Sequence, residues 1–132
     1  MSTSTDAILA YGIDLGEVDW EELGYVHTDD CLACEGNGCG ECFGDENEWL
    51  TARLRAEGIK GVGLTRYCSL SNPMWLLTSR GIGAHRGDVV FLDKAHLNVP
   101  AAETLAIGEA ARVLGIAADV EPAWMLVSFW DQ

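Results

Sequence analysis

Four cysteines within a twelve-residue stretch constrain this chain more than any other feature of its sequence. Cys31, Cys34, Cys39 and Cys42 form two C-x-x-C pairs with four residues between them, in the run CLACEGNGCGECFGD. A C-x-x-C turn points two sulfurs at one ion while its backbone amides turn toward the thiolates. Each pair is followed by one residue and then a glycine, Gly36 and Gly44, and glycine lets the chain double back with positive φ. Two such knuckles offer four thiolates, which satisfy tetrahedral Zn²⁺ at about 2.3 Å per bond. Four thiolates leave no open coordination position, so the expected role of the metal is structural. A chain of 132 residues that folds as one domain can tolerate a long irregular excursion when a metal orders it from within.

Other chemistries also use thiolates. An iron–sulfur cluster takes four, a redox C-x-x-C takes two, and paired disulfides would consume all of them. Redox motifs usually stand singly at a helix N-terminus, whereas these pairs are doubled in a glycine-rich loop. A dense cysteine cluster in a cytoplasmic chain points to metal over disulfides. We therefore expect Zn²⁺. The stretch CLACEGNG resembles the C-x-x-C-x-G-x-G repeat of DnaJ-type zinc knuckles, and that resemblance implies zinc chemistry, not chaperone function. Cys68 stands apart in a strand-like segment and reads as a small buried hydrophobe.

Charge is distributed as unevenly as cysteine. The net charge is −13, from 21 acidic and 8 basic side chains. Residues 1–52 contain neither Lys nor Arg, yet they hold Asp6, Asp14, Glu17, Asp19, Glu21, Glu22, Asp29, Asp30, Glu35, Glu41, Asp45, Glu46 and Glu48. A field of this kind repels nucleic acid and attracts a basic protein surface. A knuckle that reads nucleic acid needs Lys and Arg beside it, so direct nucleic-acid binding is not expected. Within this run, Trp20 lies in EVDWEEL. An aromatic residue in polar surroundings suggests an interface anchor. The expected partner-binding set is Asp19, Trp20, Glu21, Glu22, Asp29 and Asp30.

With 48% hydrophobic residues and five tryptophans, the chain can bury a substantial core. Residues 7–13, AILAYGI, read as a buried strand, and residues 14–45 as an acidic, metal-binding loop. Asp45 and Glu48 form a capping-box pattern for a helix that Gly58 ends, with Trp49, Leu50 and Leu54 facing the core. Residues 59–68 and 74–86 read as strands, and DVVFLD, residues 88–93, as an extension of the sheet. Pro100 opens a second helix and Gly115 closes it, with an apolar stripe of Ala102, Leu105, Ala106, Ala110, Val113 and Leu114. The run Ala123 to Trp130, AWMLVSFW, is β-prone with no polar alternation, which places it centrally in the sheet. The expected fold is α+β: a mostly antiparallel sheet of about four strands, two helices and a zinc-knuckle loop insertion, in a single domain spanning 1–132.

Enzymatic signatures are absent. There is no P-loop, no G-x-S-x-G and no H-E-x-x-H, and Gly81, Gly83 and Gly87 miss the dinucleotide spacing by one residue. His27, His85 and His96 are scattered. Arg66, Tyr67, Arg80 and Arg86 could line a small anionic pocket with His85, although pairing with nearby acids across the sheet is the simpler expectation. No apolar run is long enough to span a bilayer.

Three segments, DAILAYGIDLG, YCSLSNPMWLLTSRGIGAHRG and PAWMLVSFWD, in this order and spacing resemble small accessory proteins of actinobacterial phages and mobile elements. The resemblance implies an accessory role in the cytoplasm of a bacterial host and carries no catalytic residues. The leading expectation is a non-enzymatic module whose zinc-ordered acidic lobe binds a basic host protein. In its sharper form it mimics nucleic acid. A small-ligand binder or enzyme using the Arg- and Tyr-bearing sheet, and a structural or virion-associated protein, are the rivals.

Overall fold

The computed structural model describes residues 4–28, 31–32, 42–68, 73–116 and 120–131. The apolar run near the start becomes β1, Ser4–Gly16. It is followed by α1 (Glu46–Ala56), β2 (Gly63–Cys68), β3 (Pro73–His85), α2 (Lys94–Leu97), α3 (Ala101–Leu114) and β4 (Ala123–Asp131). The four strands form one sheet in the order β2-β3-β1-β4, and every pairing is antiparallel. The α+β expectation therefore holds, with one added short helix.

β1 lies between β3 and β4, with the larger core on one of its faces and a smaller cluster on the other. That explains why its apolar residues are consecutive. Ile13 is 1% exposed on the helix-bearing face, and Ala10 is fully buried on the other. Opposite Leu77 and Thr78 the register shifts, and here the strands approach so closely that a Cβ on Gly12 would sit 1.9 Å from the Leu77 carbonyl oxygen. Only glycine fits this site.

The larger core lies between the helices and one face of the sheet. It joins Ile13, Trp75 and Leu77 from the strands to Trp49, Leu50 and Leu54 from α1 and to Ile107, Ala110, Ala111 and Leu114 from α3. The opposite face carries a smaller cluster of Ala10, Tyr67 and Leu76, flanked by Ile8, Met74, Met125, Val127 and Phe129.

Local chemistry accounts for the helix ends. Asp45 caps α1, its Oδ1 accepting from the Glu48 amide at 2.7 Å. Glu48 reaches back to accept from the Gly44 amide at 3.1 Å, one residue beyond the usual capping-box partner. Glu46 and Glu48 at the start and Arg53 and Arg55 at the end complement the helix dipole. α3 stops at Gly115, which adopts φ 74° as a left-handed C-cap.

Three expectations are corrected. First, β4 is an edge strand, not a central one; its apolar run meets side chains on both faces although among the described residues it is hydrogen-bonded to β1 alone. Second, residues 88–93 do not join the sheet. Val89 and Phe91 are 78% and 91% exposed there. Third, the buried stripe of α3 is Ile107, Ala110, Ala111 and Leu114, while Leu105 is 67% exposed and Ala102 is exposed as well. The spacing of that set, i, i+3, i+4 and i+7, is what one helix face requires.

Candidate metal centre and acidic lobe

β1 ends at Gly16, which has φ 65°, and the chain then makes a tight turn. The Leu23 and Tyr25 amides both donate to the Trp20 carbonyl, at 3.1 and 3.0 Å. The turn sends Trp20 inward and its acidic neighbours outward. Trp20 is 5% exposed and packs edge-on against Trp49 and Trp75, with ring centroids 6.0 and 5.4 Å apart. Tyr25 closes the cage against Trp49 at 6.2 Å. Trp20 is thus a core residue, and its expected role as an exposed anchor is not met. Asp19, Glu21 and Glu22 are exposed, as expected.

Phe43, just after the last cysteine, packs against the cluster that contains this cage. The Phe43 amide donates to the Val26 carbonyl at 2.9 Å, and the Thr28 amide donates to the Phe43 carbonyl at 3.0 Å. These two bonds form a parallel bridge between His27 and Phe43. They tie the chain just before the first cysteine to the chain just after the last. Cys31 and Cys42 flank this bridge and are 7% and 5% exposed. The Cys31 amide adds a bond to the Thr28 carbonyl at 3.3 Å. Cys34, Cys39, Asp29 and Asp30 lie outside the described residues, as does most of the intervening loop. Among the described residues, no three His, Cys, Asp or Glu side chains gather as a metal group; these residues include two of the four cysteines.

Two outer cysteines, both buried, next to a bridge that draws the chain before the first toward the chain after the last, fit the demands of a thiolate centre. Ligation needs sulfurs withdrawn from water and fixed by the backbone. In a site of this kind Cys31, Cys34, Cys39 and Cys42 would hold the ion. His27 is half-buried, with its ring edge-on to Tyr25 at 6.4 Å.

The lobe is anchored by the first basic residue in the chain. Arg53 on α1 donates to the Leu23 carbonyl at 3.2 Å and to the Val113 carbonyl at 3.3 Å, and its guanidinium lies over the Trp49 ring at 5.6 Å. It thereby joins the acidic turn, α1 and the end of α3. Beside this anchor a cavity of about 260 Å³ is lined by Asp14, Glu17, Asp19 and Glu22, with Leu15, Val18, Leu23 and Ile116.

The Arg- and Tyr-bearing strands do not converge on a pocket. Arg80 makes a bidentate pair with Glu103 of α3, at 2.8 and 2.7 Å, and donates to the His96 carbonyl. This partner is on the helix above the sheet, not across it. The Arg80 guanidinium holds the Glu103 carboxyl below the usual glutamate range. Arg66 pairs in register with Trp75 on the helix-bearing face. Tyr67 faces the opposite side, where its hydroxyl donates to Asp14 at 2.8 Å. Burial first, and then this carboxylate, push the Tyr67 phenol up to about 12. His85 is also on that opposite side, with Nδ1 2.6 Å from Asp6. Sequence reasoning did not find the Asp6–His85 and Asp14–Tyr67 pairs. Their partners lie 79 and 53 residues apart, and only strand register brings them together. Cys68 is half-buried at the end of β2, with φ 69° and its Sγ 3.7 Å from the Met74 sulfur.

No helix among the described residues is long and apolar enough to cross a membrane. No protein-family model matches the chain, and no curated protein or solved structure matches it either.

Proposed function

We propose that this protein is a non-enzymatic binding module. In this reading a structural Zn²⁺ held by Cys31, Cys34, Cys39 and Cys42 orders an acidic lobe, and that lobe engages a basic surface on another protein. One observation carries the reading: the cavity lined by Asp14, Glu17, Asp19 and Glu22, in a 52-residue segment without one Lys or Arg. Four carboxylates around one recess suit an incoming lysine or arginine side chain. Arg53 stands beside this recess, with its guanidinium committed to the Leu23 and Val113 carbonyls. The aromatic cage beneath gives the turn a rigid base, so little ordering cost is left to be met on binding.

The setting fits an accessory protein of a phage or mobile element acting on a host protein. In the sharper version, the lobe occupies a groove that otherwise holds nucleic acid, with carboxylates standing in for phosphates. Electrostatic steering would then speed association and make it fall steeply with salt.

The test is a pull-down from a bacterial lysate with the full chain and with a Glu17→Lys, Asp19→Lys, Glu22→Lys variant. The expected result is a basic partner retained at low salt, released as salt rises, and lost with the variant. Retention that ignores both salt and charge reversal would contradict the proposal.

A further inference from the structure

Away from the acidic turn, a cavity of about 480 Å³ lies between α1 and the chain leading into β2. Two ties set its walls. At one end the Leu64 amide donates to Asn47 Oδ1 at 2.9 Å. At the other, Gly58 takes φ 77° and the Ile59 amide donates back to the Leu54 carbonyl at 2.9 Å. Asn47, Thr51, Leu54 and Arg55 share one side of α1, because residues three and four apart are neighbours on a helix. Between the ties, that side and residues 59–62 enclose the cavity.

The lining divides by chemistry. Leu54, Ile59 and Val62 are buried and form an apolar floor. Arg55, Lys60 and Gly61 are exposed at the rim, with Thr51 half-buried beside them. No carboxylate lines the cavity among the described residues. In a chain with 21 acidic and 8 basic side chains, this is a local reversal of the charge balance. The two cations are also uncommitted. Arg53 is held by two carbonyls and Arg80 by Glu103, whereas Arg55 and Lys60 make no ion pair or side-chain hydrogen bond among the described residues. The Lys60 and Gly61 amides likewise donate to no described group. Gly61 has φ 78°, and a Cβ there would meet nothing within 4 Å, so the rim is open. The final carbonyls of a helix repel anions, but those of Leu54 and Arg55 already accept from the Ile59 and Gly58 amides.

We infer that this cavity binds a small organic anion. Its carboxylate or phosphate head lies between Arg55 and Lys60, and its apolar body covers Leu54, Ile59 and Val62. The guanidinium fork matches either oxyanion through paired hydrogen bonds, and the ammonium adds a point charge. The volume falls in the range of small-molecule sites, about 300–1,000 Å³. A bare inorganic ion would leave the apolar floor wet, so head and body are both required. The acids at the start of α1 do not forbid this. Glu48 and Glu46 lie about 10 Å or more from Arg55 along the helix, and exposed charges that far apart are largely screened at physiological salt. The inference does not depend on the acidic lobe or on its metal.

The experiment is a titration of the full chain followed by ¹H–¹⁵N correlation spectra. The probes are hexanoate and phenyl phosphate, with inorganic phosphate as head alone and hexanol as body alone. We expect saturable shifts of the Thr51, Lys60, Gly61 and Val62 amides with hexanoate or phenyl phosphate, and the tighter of the two identifies the head. Inorganic phosphate and hexanol should bind about tenfold more weakly or less. Arg55→Gln and Lys60→Gln, both at exposed positions, should each weaken binding by about tenfold. Arg112→Gln, exposed on α3, should leave it unchanged. Unshifted peaks elsewhere verify that each variant is folded. No saturable shift at these amides with either anion would overturn the inference. So would an equal response to hexanol or to inorganic phosphate, or an affinity untouched by both glutamine substitutions.

Discussion

Trp20 shows how a side chain's fate is set by its turn and not by its neighbours in sequence. Acids on both sides suggest a surface residue, yet the indole is the hub of a cage of four aromatic rings. Its Nε1 is buried with no hydrogen-bond partner among the described residues, a cost of about 1–3 kcal/mol that the packing must exceed. We expect Trp20→Ala to lower stability by about 3–5 kcal/mol. Trp20→Phe should cost much less, since it keeps a ring in the cage and discards the unpaired N–H. Urea denaturation of the two variants distinguishes these outcomes. An alanine variant of unchanged stability that has lost a partner would instead restore the exposed-anchor role. At this scale the paired cysteine spacing is legible, because two C-x-x-C turns with following glycines are local chemistry, and the zinc it implies stays a proposal. The burial of Cys31 and Cys42 is not local. It depends on a bridge between His27 and Phe43, which no spacing rule anticipates.

Among the elements, α1 was fully legible. Its cap, its charge gradient and its three buried residues all lie within twelve consecutive positions. Sheet order was not. A continuous apolar run describes β1 and β4 equally well, yet one is central and the other an edge. In β4, Met125, Val127 and Phe129 pack on the smaller cluster, Trp124 sits edge-on to Tyr11 with centroids 5.5 Å apart, and Leu126 meets solvent. For α3, the alanine-rich sequence offers several apolar stripes of similar strength, and tertiary packing chose the one through Ile107. The junction of β1 and β3 yields the sharpest prediction at this scale. Gly12→Ala forces a methyl group onto the Leu77 carbonyl at the register shift. The strands must separate or the bulge must move, so we expect a loss of about 3 kcal/mol or more. A thermal melt would show it, and an unchanged midpoint would mean the two strands do not approach as described.

Across the whole molecule, charge is more one-sided than apolar exposure. Asp14, Glu17, Asp19, Glu21 and Glu22 are gathered around the turn after β1. Of the strongly exposed apolar side chains, Val89, Phe91, Leu105 and Leu126 belong to the second half of the chain, while Leu32, 95% exposed, stands beside Cys31 in the acidic segment. Such a one-sided charge suits an electrostatic, salt-sensitive contact. The charge distribution can be read directly from residue positions. The apolar exposure cannot, because it depends on which strand ends at the edge.

All of this relies on the lobe being ordered by metal. The decisive measurement is elemental analysis of the full chain, purified under reducing conditions, together with limited proteolysis of the chelated protein. One zinc per chain is expected. Cys34→Ser and Cys39→Ser should each release it and expose residues 14–45 to protease while much of the C-terminal part stays folded. A folded chain that contains no metal, with its cysteines paired as disulfides or with a lobe equally resistant after either substitution, would contradict the account.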